Sequence, residues 1–241
     1  MLSLVESFYS FQGEGKFAGV PSIFIRLGGC NLSCAGFGVE FEKGVGCDSF
    51  KAVNREHFEH TWKKIDDLTS IIDSYLNDLD FKPDIVFTGG EPLLYFQNPT
   101  LLEALEYFQD YRITLETNAT IEIDFEKFPI YKNVLFAMSV KLENSGENRV
   151  KRINQDAIKK IVENTKDSFF KFVLSEKDID TKEIKEITKD YPDVPIYCMP
   201  MGESAKELAK NDKQVANFCI QNGYNYTDRI HIRLWDNEEG R

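Results

Sequence analysis

The stretch "GGCNLSCAGFGVEFEKGVGCDSF", residues 28–50, places three of the chain's five cysteines within eighteen positions. It follows "SIFIRL" (22–27), an apolar segment that predicts a buried strand. The stretch is rich in glycine, which allows a backbone to wrap closely around a bound group. Cysteines on a glycine-rich loop at the end of a strand indicate a metal site, and their number and spacing bear on which metal it holds.

The cysteine spacing favours an iron–sulfur cluster over zinc. Three residues separate Cys30 from Cys34, and twelve more precede Cys47. Structural zinc usually takes four ligands with closer pairs, although His57 and His60 could complete such a set. A [4Fe–4S] cluster takes thiolates readily, and three of them leave one iron open to a small chelating cosubstrate. Burial of the cysteines as small core residues fits a glycine-rich loop poorly.

Apolar and amphipathic segments alternate along the whole chain. This alternation predicts parallel strands joined by right-handed crossovers, either in an open doubly wound sheet or in an incomplete (β/α) barrel. No Pro/Gly/Ser-rich linker interrupts the pattern, so one domain is predicted over residues 1–241. The strands are predicted at 22–27, 84–90, 113–119, 134–141, 169–175 and 194–200, and the amphipathic stretches at 57–78, 98–111, 154–165, 181–190 and 203–222.

Polar motifs follow several of these strands directly. They are "LGGC" (27–30), "TGGEP" (88–92), "ETNAT" (116–120) and "SVK" (139–141). In both candidate architectures, ligands bind at the carboxyl ends of the strands. We therefore expect these loops to converge on one mouth.

Composition excludes several classes of partner. The formal net charge of −11 argues against nucleic acid and anionic membranes. No apolar run reaches the roughly 18 residues of a transmembrane helix, and the first residues lack the pattern of a secretory signal. The sequence thus predicts a cytoplasmic protein, in which thiols stay reduced.

The motifs resemble a known superfamily. "FIRLGGCNLSC" followed by "CDS" resembles radical S-adenosylmethionine (SAM) enzymes, and "SFQGEGKFAGVPSIFIRLGGCNLSC" is similar to the 7-carboxy-7-deazaguanine synthases of queuosine and other 7-deazapurine pathways. "TGGEPLL", "ETNAT", "SVK", "MPMG" and "RIHIRLWDNEEG" follow in family order, so the resemblance covers most of the chain. The usual spacing is C-x3-C-x2-C. Here Phe37 stands at the third cysteine's position, and Cys47 takes its place after an insertion, residues 37–46.

The resemblance implies a fold, cofactors and a reaction. The fold is an incomplete (β/α)6 barrel in which Cys30, Cys34 and Cys47 hold a [4Fe–4S] cluster. SAM chelates the open iron, and one electron from the cluster releases a 5′-deoxyadenosyl radical. The substrate is 6-carboxy-5,6,7,8-tetrahydropterin, which loses hydrogen at C6, contracts its ring and loses ammonia. The product is 7-carboxy-7-deazaguanine, which makes the enzyme a carbon–nitrogen lyase.

The family's SAM contacts carry over to matching positions. "TGGEP" and "ETNAT" have a simpler interpretation as strand-end turns, and Val140 replaces the proline of the family's "SPK". The SAM-binding residues implied in this way are Gly46, Cys47, Asp48, Gly89, Gly90, Glu91, Glu116, Asn118, Ser139, Val140 and Lys141.

We expect three segments to contact the substrate: "FQGEG" (11–15), the first predicted strand (22–27) and the C-terminal tail (223–241). Arg26 suits the substrate carboxylate, with an ion pair to an acidic residue as the alternative. His231 is placed in a late strand, where a structural role is the alternative. The implied substrate-binding residues are Phe11, Gln12, Gly13, Glu14, Arg26, Thr88 and His231.

Further partners are implied by the same family. Ser49 matches the threonine that binds Mg²⁺, with a helix N-cap as the alternative role. A flavodoxin or ferredoxin-type reductant and a homodimer are expected. Two other functions stay open: a radical SAM activating enzyme acting on a protein glycine, and a zinc-binding adaptor. Cys198 and Cys219 lie in apolar settings and are assigned to the core.

Overall fold

The computed structural model shows an α/β architecture built on one large sheet. It describes residues 1–35, 39–41, 44–175, 179, 181–236, 238 and 240, and only the backbone of residues 39–41, 44–46 and 181. The strands in these residues are β1 (Leu2–Phe11), β2 (Pro21–Leu27), β3 (Val39–Phe41), β4 (Gly44–Gly46), β5 (Lys63–Ile65), β6 (Asp84–Gly89), β7 (Ile113–Thr117), β8 (Leu135–Met138), β9 (Phe169–Leu174), β10 (Ile196–Pro200) and β11 (Asn225–Tyr226).

Helices connect most of the strands. They are α1 (Phe50–Val53), α2 (Arg55–Phe58), α3 (Thr69–Leu76), α4 (Pro99–Tyr107), α5 (Arg149–Arg152), α6 (Gln155–Asn164), α7 (Thr181–Thr188), α8 (Ala205–Asn222) and α9 (Ile230–Trp235). Short 3-10 turns cover Gly15–Phe17, Glu59–Thr61, Pro92–Tyr95, Pro129–Asn133 and Glu143–Ser145. None of the helices in the described residues is both long and apolar enough to cross a bilayer.

The strand order identifies the architecture. The large sheet runs β11-β10-β9-β8-β7-β6-β2-β1-β5, and every strand from β2 to β11 in that order is parallel to its neighbour. The order never reverses, which excludes a doubly wound sheet, and right-handed crossovers then place the helices on one face. The predicted incomplete (β/α)6 barrel is confirmed as an open barrel. The strands β1 and β5 extend one edge in antiparallel pairing.

The two faces of the sheet have different contents. On β9, Phe170 and Phe172 point outward into the main core, while Lys171 and Val173 point inward and line a cavity. This alternation follows the two-residue period of a strand. At the opposite end of the interior, Phe17 of the first 3-10 turn packs against Phe169. The barrel interior is therefore closed by aromatic residues at one end and polar at the other.

Helix α8 illustrates how local sequence sets an element. Ser204 accepts a hydrogen bond from the Glu207 N–H, and the Glu207 carboxylate accepts one from the Glu203 N–H. This pattern is a variant of the capping box, in which Glu207 reaches the N–H of the residue before the N-cap and not that of Ser204 itself. Gly223 ends the helix with φ of 69°, the left-handed conformation that glycine adopts without strain. The predicted helix at 203–222 is confirmed.

Three sequence predictions about elements were incomplete or wrong. Strand β1 was not predicted. The stretch 57–78 is not one helix. The Asp67 carboxylate accepts hydrogen bonds from Thr69 and Ser70, and α3 begins only at Thr69. The predicted late strand around His231 is helix α9.

Candidate functional site

A cavity of about 400 Å³ opens at the carboxyl ends of the parallel strands. Loops after β2, β6, β7 and β8 converge on it, as expected, together with β1, β9, β10 and α9. Of the predicted site residues, Gly46 lies outside those described beyond the backbone, and all the others except Glu91 line the cavity: Phe11, Gln12, Gly13, Glu14, Arg26, Cys30, Cys34, Cys47, Asp48, Ser49, Thr88, Gly89, Gly90, Glu116, Asn118, Ser139, Val140, Lys141 and His231.

Three half-buried thiols stand at one end of the cavity. The N–H of Leu32 donates to Cys30 Sγ at 3.4 Å, and Asn118 Nδ2 lies 3.9 Å from the same sulfur. Burial raises the pKa of Cys30 to about 11 and that of Cys47 to about 12. Free thiols in this position stay protonated, and a bound metal would displace their protons. Such sulfurs, partly shielded and receiving N–H donors, fit an iron–sulfur cluster.

The same arrangement does not fit zinc. Within the described residues, no three His, Cys, Asp or Glu side chains are close enough to hold one metal ion. His57 Nδ1 lies 2.9 Å from Asn54 Oδ1, and neither His57 nor His60 lines the cavity. A cluster presents its irons at separate corners, so its thiolates stand farther apart than the ligands of a single ion. The described residues thus offer no assembled zinc site, and thiols that stand apart in this way are compatible with a cluster.

The insertion between Cys34 and Cys47 contains a β-hairpin. Strands β3 and β4 pair antiparallel, with Val39 opposite Gly46. An antiparallel hairpin returns the chain to the place where it left. Gly46 ends β4 directly before Cys47, which explains how a cysteine so far along the chain reaches the other two. Phe37 and the rest of 36–38 and 42–43 lie outside the described residues.

The glycine pair of "TGGEP" lets two backbones meet. Gly89 has φ of 132°, and a Cβ on Gly90 would lie 2.0 Å from the Gly29 carbonyl oxygen. The N–H of Glu91 donates to that same oxygen at 2.8 Å. The end of β6 therefore packs directly against the residue that precedes Cys30. Only glycine permits this contact.

We predict that Gly90→Ala displaces Cys30 and lowers the iron that the protein binds after reconstitution. Overpacking of this kind also costs about 1–3 kcal/mol of stability. Iron per chain and the melting temperature of the iron-free protein measure the two effects. The control is Gly19→Ala, where a Cβ meets nothing within 4 Å. Gly19→Ala adds only backbone strain, so it should bind iron fully. Full iron binding by Gly90→Ala as well would contradict the prediction.

The prediction that Glu91 contacts SAM directly is not supported by its position. Its side chain is fully buried beneath the cavity and accepts hydrogen bonds from Leu93 N, Thr117 Oγ1 and Asn118 N. Burial raises the pKa of Glu91 to about 7, although these three donors favour the ionised form. Glu91 instead fixes the loop after β7 against the loop after β6.

Asn118 and Lys141 lie close to the thiols. Asn118 Nδ2 donates to Asn31 Oδ1 at 2.9 Å and so orders the cluster loop. Lys141 Nζ donates to Ser139 Oγ at 3.1 Å. Burial raises the pKa of all three cysteines, and the positive charge of Lys141 lowers it. Lys141 therefore lies near all three thiols.

The other end of the cavity holds a network of charged groups. Thr88 Oγ1 donates to Glu116 Oε2 at 2.8 Å, and Gln12 Nε2 donates to Glu116 Oε1 at 3.3 Å. Lys171 Nζ lies 2.6 Å from Glu14 Oε2 and 3.6 Å from Glu116 Oε1. Glu116 was grouped with Asn118 as a SAM contact, but the structure places it with the predicted substrate residues.

Sequence analysis missed two buried cations of this network, Lys171 and Arg229. Burial alone would raise the pKa of Glu14, but Lys171 and then Arg229 hold it well below its usual range. Burial alone would lower the pKa of Lys171, yet Glu116 and Glu14 raise it above its usual value. The only sequence feature that could have indicated Lys171 is a single charged residue within the apolar strand "FFKFVL". Arg229 begins the quoted tail motif "RIHIRL" and carried no separate signal.

For three further predicted site residues, the structure shows how far the alternative role applies. Arg26 Nε donates to Glu6 Oε1 at 2.7 Å, so the alternative ion pair exists, although both side chains are partly exposed. A partly exposed pair of this kind contributes little stability. His231 packs against Gly13, and burial lowers the pKa of its imidazole. Ser49 precedes α1 at the N-cap position, but its hydroxyl makes no capping hydrogen bond there.

Two of three comparisons with known proteins find similar chains. No protein-family model matches the chain. It is 32% identical to the 7-carboxy-7-deazaguanine synthase of Halobacterium salinarum over 98% of this chain and 91% of that protein. It is 30% identical to the synthase of Rickettsia prowazekii, over 95% and 86%. The crystal structure of QueE from Escherichia coli matches the fold with a TM-score of 0.65, at 21% identity over 95% of this chain and 94% of that one.

Proposed function

Because the chain belongs to the 7-carboxy-7-deazaguanine synthase family, we propose that it converts 6-carboxy-5,6,7,8-tetrahydropterin into 7-carboxy-7-deazaguanine with loss of ammonia. The observation that carries this proposal is the division of one cavity into two ends. Three thiols line one end, and a network of two carboxylates and two cations lines the other. This division suits a reaction in which a metal cofactor acts on a polar heterocycle held beside it.

The thiol end suits a [4Fe–4S] cluster on Cys30, Cys34 and Cys47, with SAM bound next to it. When bound, the cluster and SAM supply the one-electron chemistry that removes a hydrogen atom from the substrate. The chain's own part is placement. Gly89 and Gly90 line this end, and we assign their backbone groups to the amino-acid end of SAM.

Lys141 and Ser139 offer a cation and a hydroxyl at the same end of the cavity. We assign them to the carboxylate of SAM. Asn118 keeps the cluster loop in position through Asn31.

The charged end suits the pterin. A carboxylate offers about four acceptor sites, so Glu14 and Glu116 can accept from the pyrimidinone N–H groups while they keep their present partners. Gln12 and Thr88 offer further polar contacts beside them. We assign Arg26 to the substrate carboxylate, since its guanidinium lines the same cavity and matches a carboxylate in shape.

His231 completes this wall as a largely neutral imidazole, because burial lowers its pKa. Stacking of Phe11 on Trp235, with ring centroids 6.2 Å apart, joins the first strand to the tail. We therefore assign the tail to the substrate end of the cavity.

Magnesium, reductant and assembly belong to the same proposal. Ser49 lines the cavity beside Asp48, and its hydroxyl would hold a hard cation such as Mg²⁺, which would help to orient the substrate carboxylate. A flavodoxin or ferredoxin-type protein would supply the electron in the cytoplasm. A homodimer is expected from the family resemblance alone.

The proposal is tested by anaerobic assay of the reconstituted protein with SAM, dithionite and the carboxypterin. Mass spectrometry should detect 7-carboxy-7-deazaguanine, and product formation should fall when a chelator removes Mg²⁺. Cleavage of SAM without conversion of the pterin would assign the chain to another radical SAM reaction. A protein that binds zinc and cleaves no SAM would contradict the proposal entirely.

A further inference from the structure

Arg229 joins three separate segments around the cavity. Its Nε donates to Glu14 Oε1 at 2.9 Å, its Nη2 donates to Asp48 Oδ2 at 2.7 Å, and its Nη1 donates to the Gly202 carbonyl at 2.6 Å. Glu14 follows β1, Asp48 belongs to the cluster loop, and Gly202 follows β10. One buried guanidinium therefore links the substrate end, the cluster end and the far edge of the barrel.

Burial makes this arrangement energetically demanding. Removing a guanidinium from water is costly unless charged partners and good geometry compensate. Arg229 has two carboxylates and one carbonyl on a planar group with fixed donor directions. A lysine in its place has a single ammonium on a flexible stem and cannot span all three acceptors. The site thus requires the shape of arginine and not only its charge.

The position of Asp48 gives the link a functional meaning. Asp48 directly follows the thiol Cys47 and directly precedes Ser49, the proposed magnesium ligand. Whatever fixes the Asp48 carboxylate also fixes the backbone between these two residues. Glu14, at the other end of the guanidinium, is held by Lys171 among the proposed substrate contacts.

We propose that Arg229 is a positioning residue that couples the substrate end of the cavity to the cluster end. It keeps Asp48, and with it the segment 47–49, at a set distance and orientation from Glu14. This inference rests on the proposed function. When the link is broken, SAM cleavage loses its coordination with the substrate, and 5′-deoxyadenosine forms without a matching amount of product.

The test compares Arg229→Lys with Arg233→Lys. Arg233 pairs with Asp212 and Asp228, is partly exposed and does not line the cavity. We expect Arg229→Lys to bind iron fully but to yield about tenfold less product per 5′-deoxyadenosine, because small misplacements are costly in catalysis. The electron paramagnetic resonance change that substrate causes in the reduced, SAM-bound enzyme should also be lost. Arg233→Lys should match the unaltered protein in both.

Two further measurements keep the proposal open to refutation. Asp48→Asn weakens the Arg229–Asp48 contact and leaves Arg229 with Glu14 and the Gly202 carbonyl, so it should uncouple the reaction even where Arg229→Lys fails to fold. Hydrogen exchange in residues 47–53 of the iron-free protein should rise in both variants and not in Arg233→Lys. Normal coupling and unchanged exchange would overturn the inference. If the unaltered protein makes no product, the proposed function fails, while the exchange result still tests the link.

Discussion

Replacing Cys47 with alanine abolishes product formation and most of the iron binding. Two remaining thiols, Cys30 and Cys34, cannot hold a cluster that three anchor, and the reaction depends on the chemistry of that group. The expected loss is therefore complete and not partial. Iron per chain after reconstitution, the visible absorbance of the cluster and the product assay measure it together.

The cysteines of the core provide the matched control. Cys198 on β10 and Cys219 on α8 are 0% and 2% exposed and pack in the main core. Cys219→Ala removes a thiol without touching the cavity, so iron and activity should be kept. A Cys47→Ala protein with a full cluster would contradict the assignment. It would mean that the insertion before Cys47 does not deliver the third ligand.

Lys171→Met has the second largest expected effect. Its ammonium lies between Glu14 and Glu116, and all three side chains are largely buried. Removing one partner of a buried ion pair leaves an uncompensated charge and costs about 3–5 kcal/mol. Activity should fall by roughly 10²-fold, since both acidic substrate contacts shift. Thermal unfolding and steady-state kinetics of the reconstituted protein test this.

The control and the compensating variant separate charge from general damage. Lys166→Met changes an exposed lysine just before β9 and should alter stability by less than about 0.5 kcal/mol. Adding Glu14→Gln to Lys171→Met should restore part of the stability, because residues in one network do not behave additively. It should not restore activity. Additive losses in the double variant would contradict the proposed pairing.

The same pair gives a pH dependence with a definite sign. The pKa of Glu14 is lowered on folding, so its stabilising contribution is present above its ordinary value of 4.5 and is lost as the pH falls below it. Lys171→Met removes the largest cause of that lowering. The stability of the variant should therefore depend less on pH over the acidic range than that of the unaltered protein. Denaturant unfolding at several acidic pH values measures the difference.

Local pattern predicted the parts of the site that are close in sequence. The alternation of apolar strands with amphipathic segments predicts parallel strands joined by crossovers, because each period reflects burial on one face of an element, and the family resemblance then favours the barrel over a doubly wound sheet. "TGGEP" and "SVK" directly follow strands, and parallel topology brings such loops together. Even the long gap before Cys47 was interpreted through the "CDS" motif.

The rest depends on contacts that no local pattern contains. Lys171 and Glu14 are separated by 157 residues, and their pairing exists only because the curved sheet brings the segment after β1 to face β9 across the cavity. Arg229 was missed for the same reason. Glu91 has the residue type of a ligand contact, but its role follows from the three donors that surround it. The late strand predicted around His231 is a helix because its start is set by tertiary contacts, including Ile230 N donating to the Gly13 carbonyl.

The cluster itself is the central claim, and electron paramagnetic resonance of the reduced, reconstituted protein tests it most directly. We expect about four irons per chain and the spectrum of a reduced [4Fe–4S] cluster, with a clear change when SAM is added, because one iron has no ligand from the protein. A spectrum that SAM leaves unchanged, or zinc in place of iron at these three cysteines, would contradict the account.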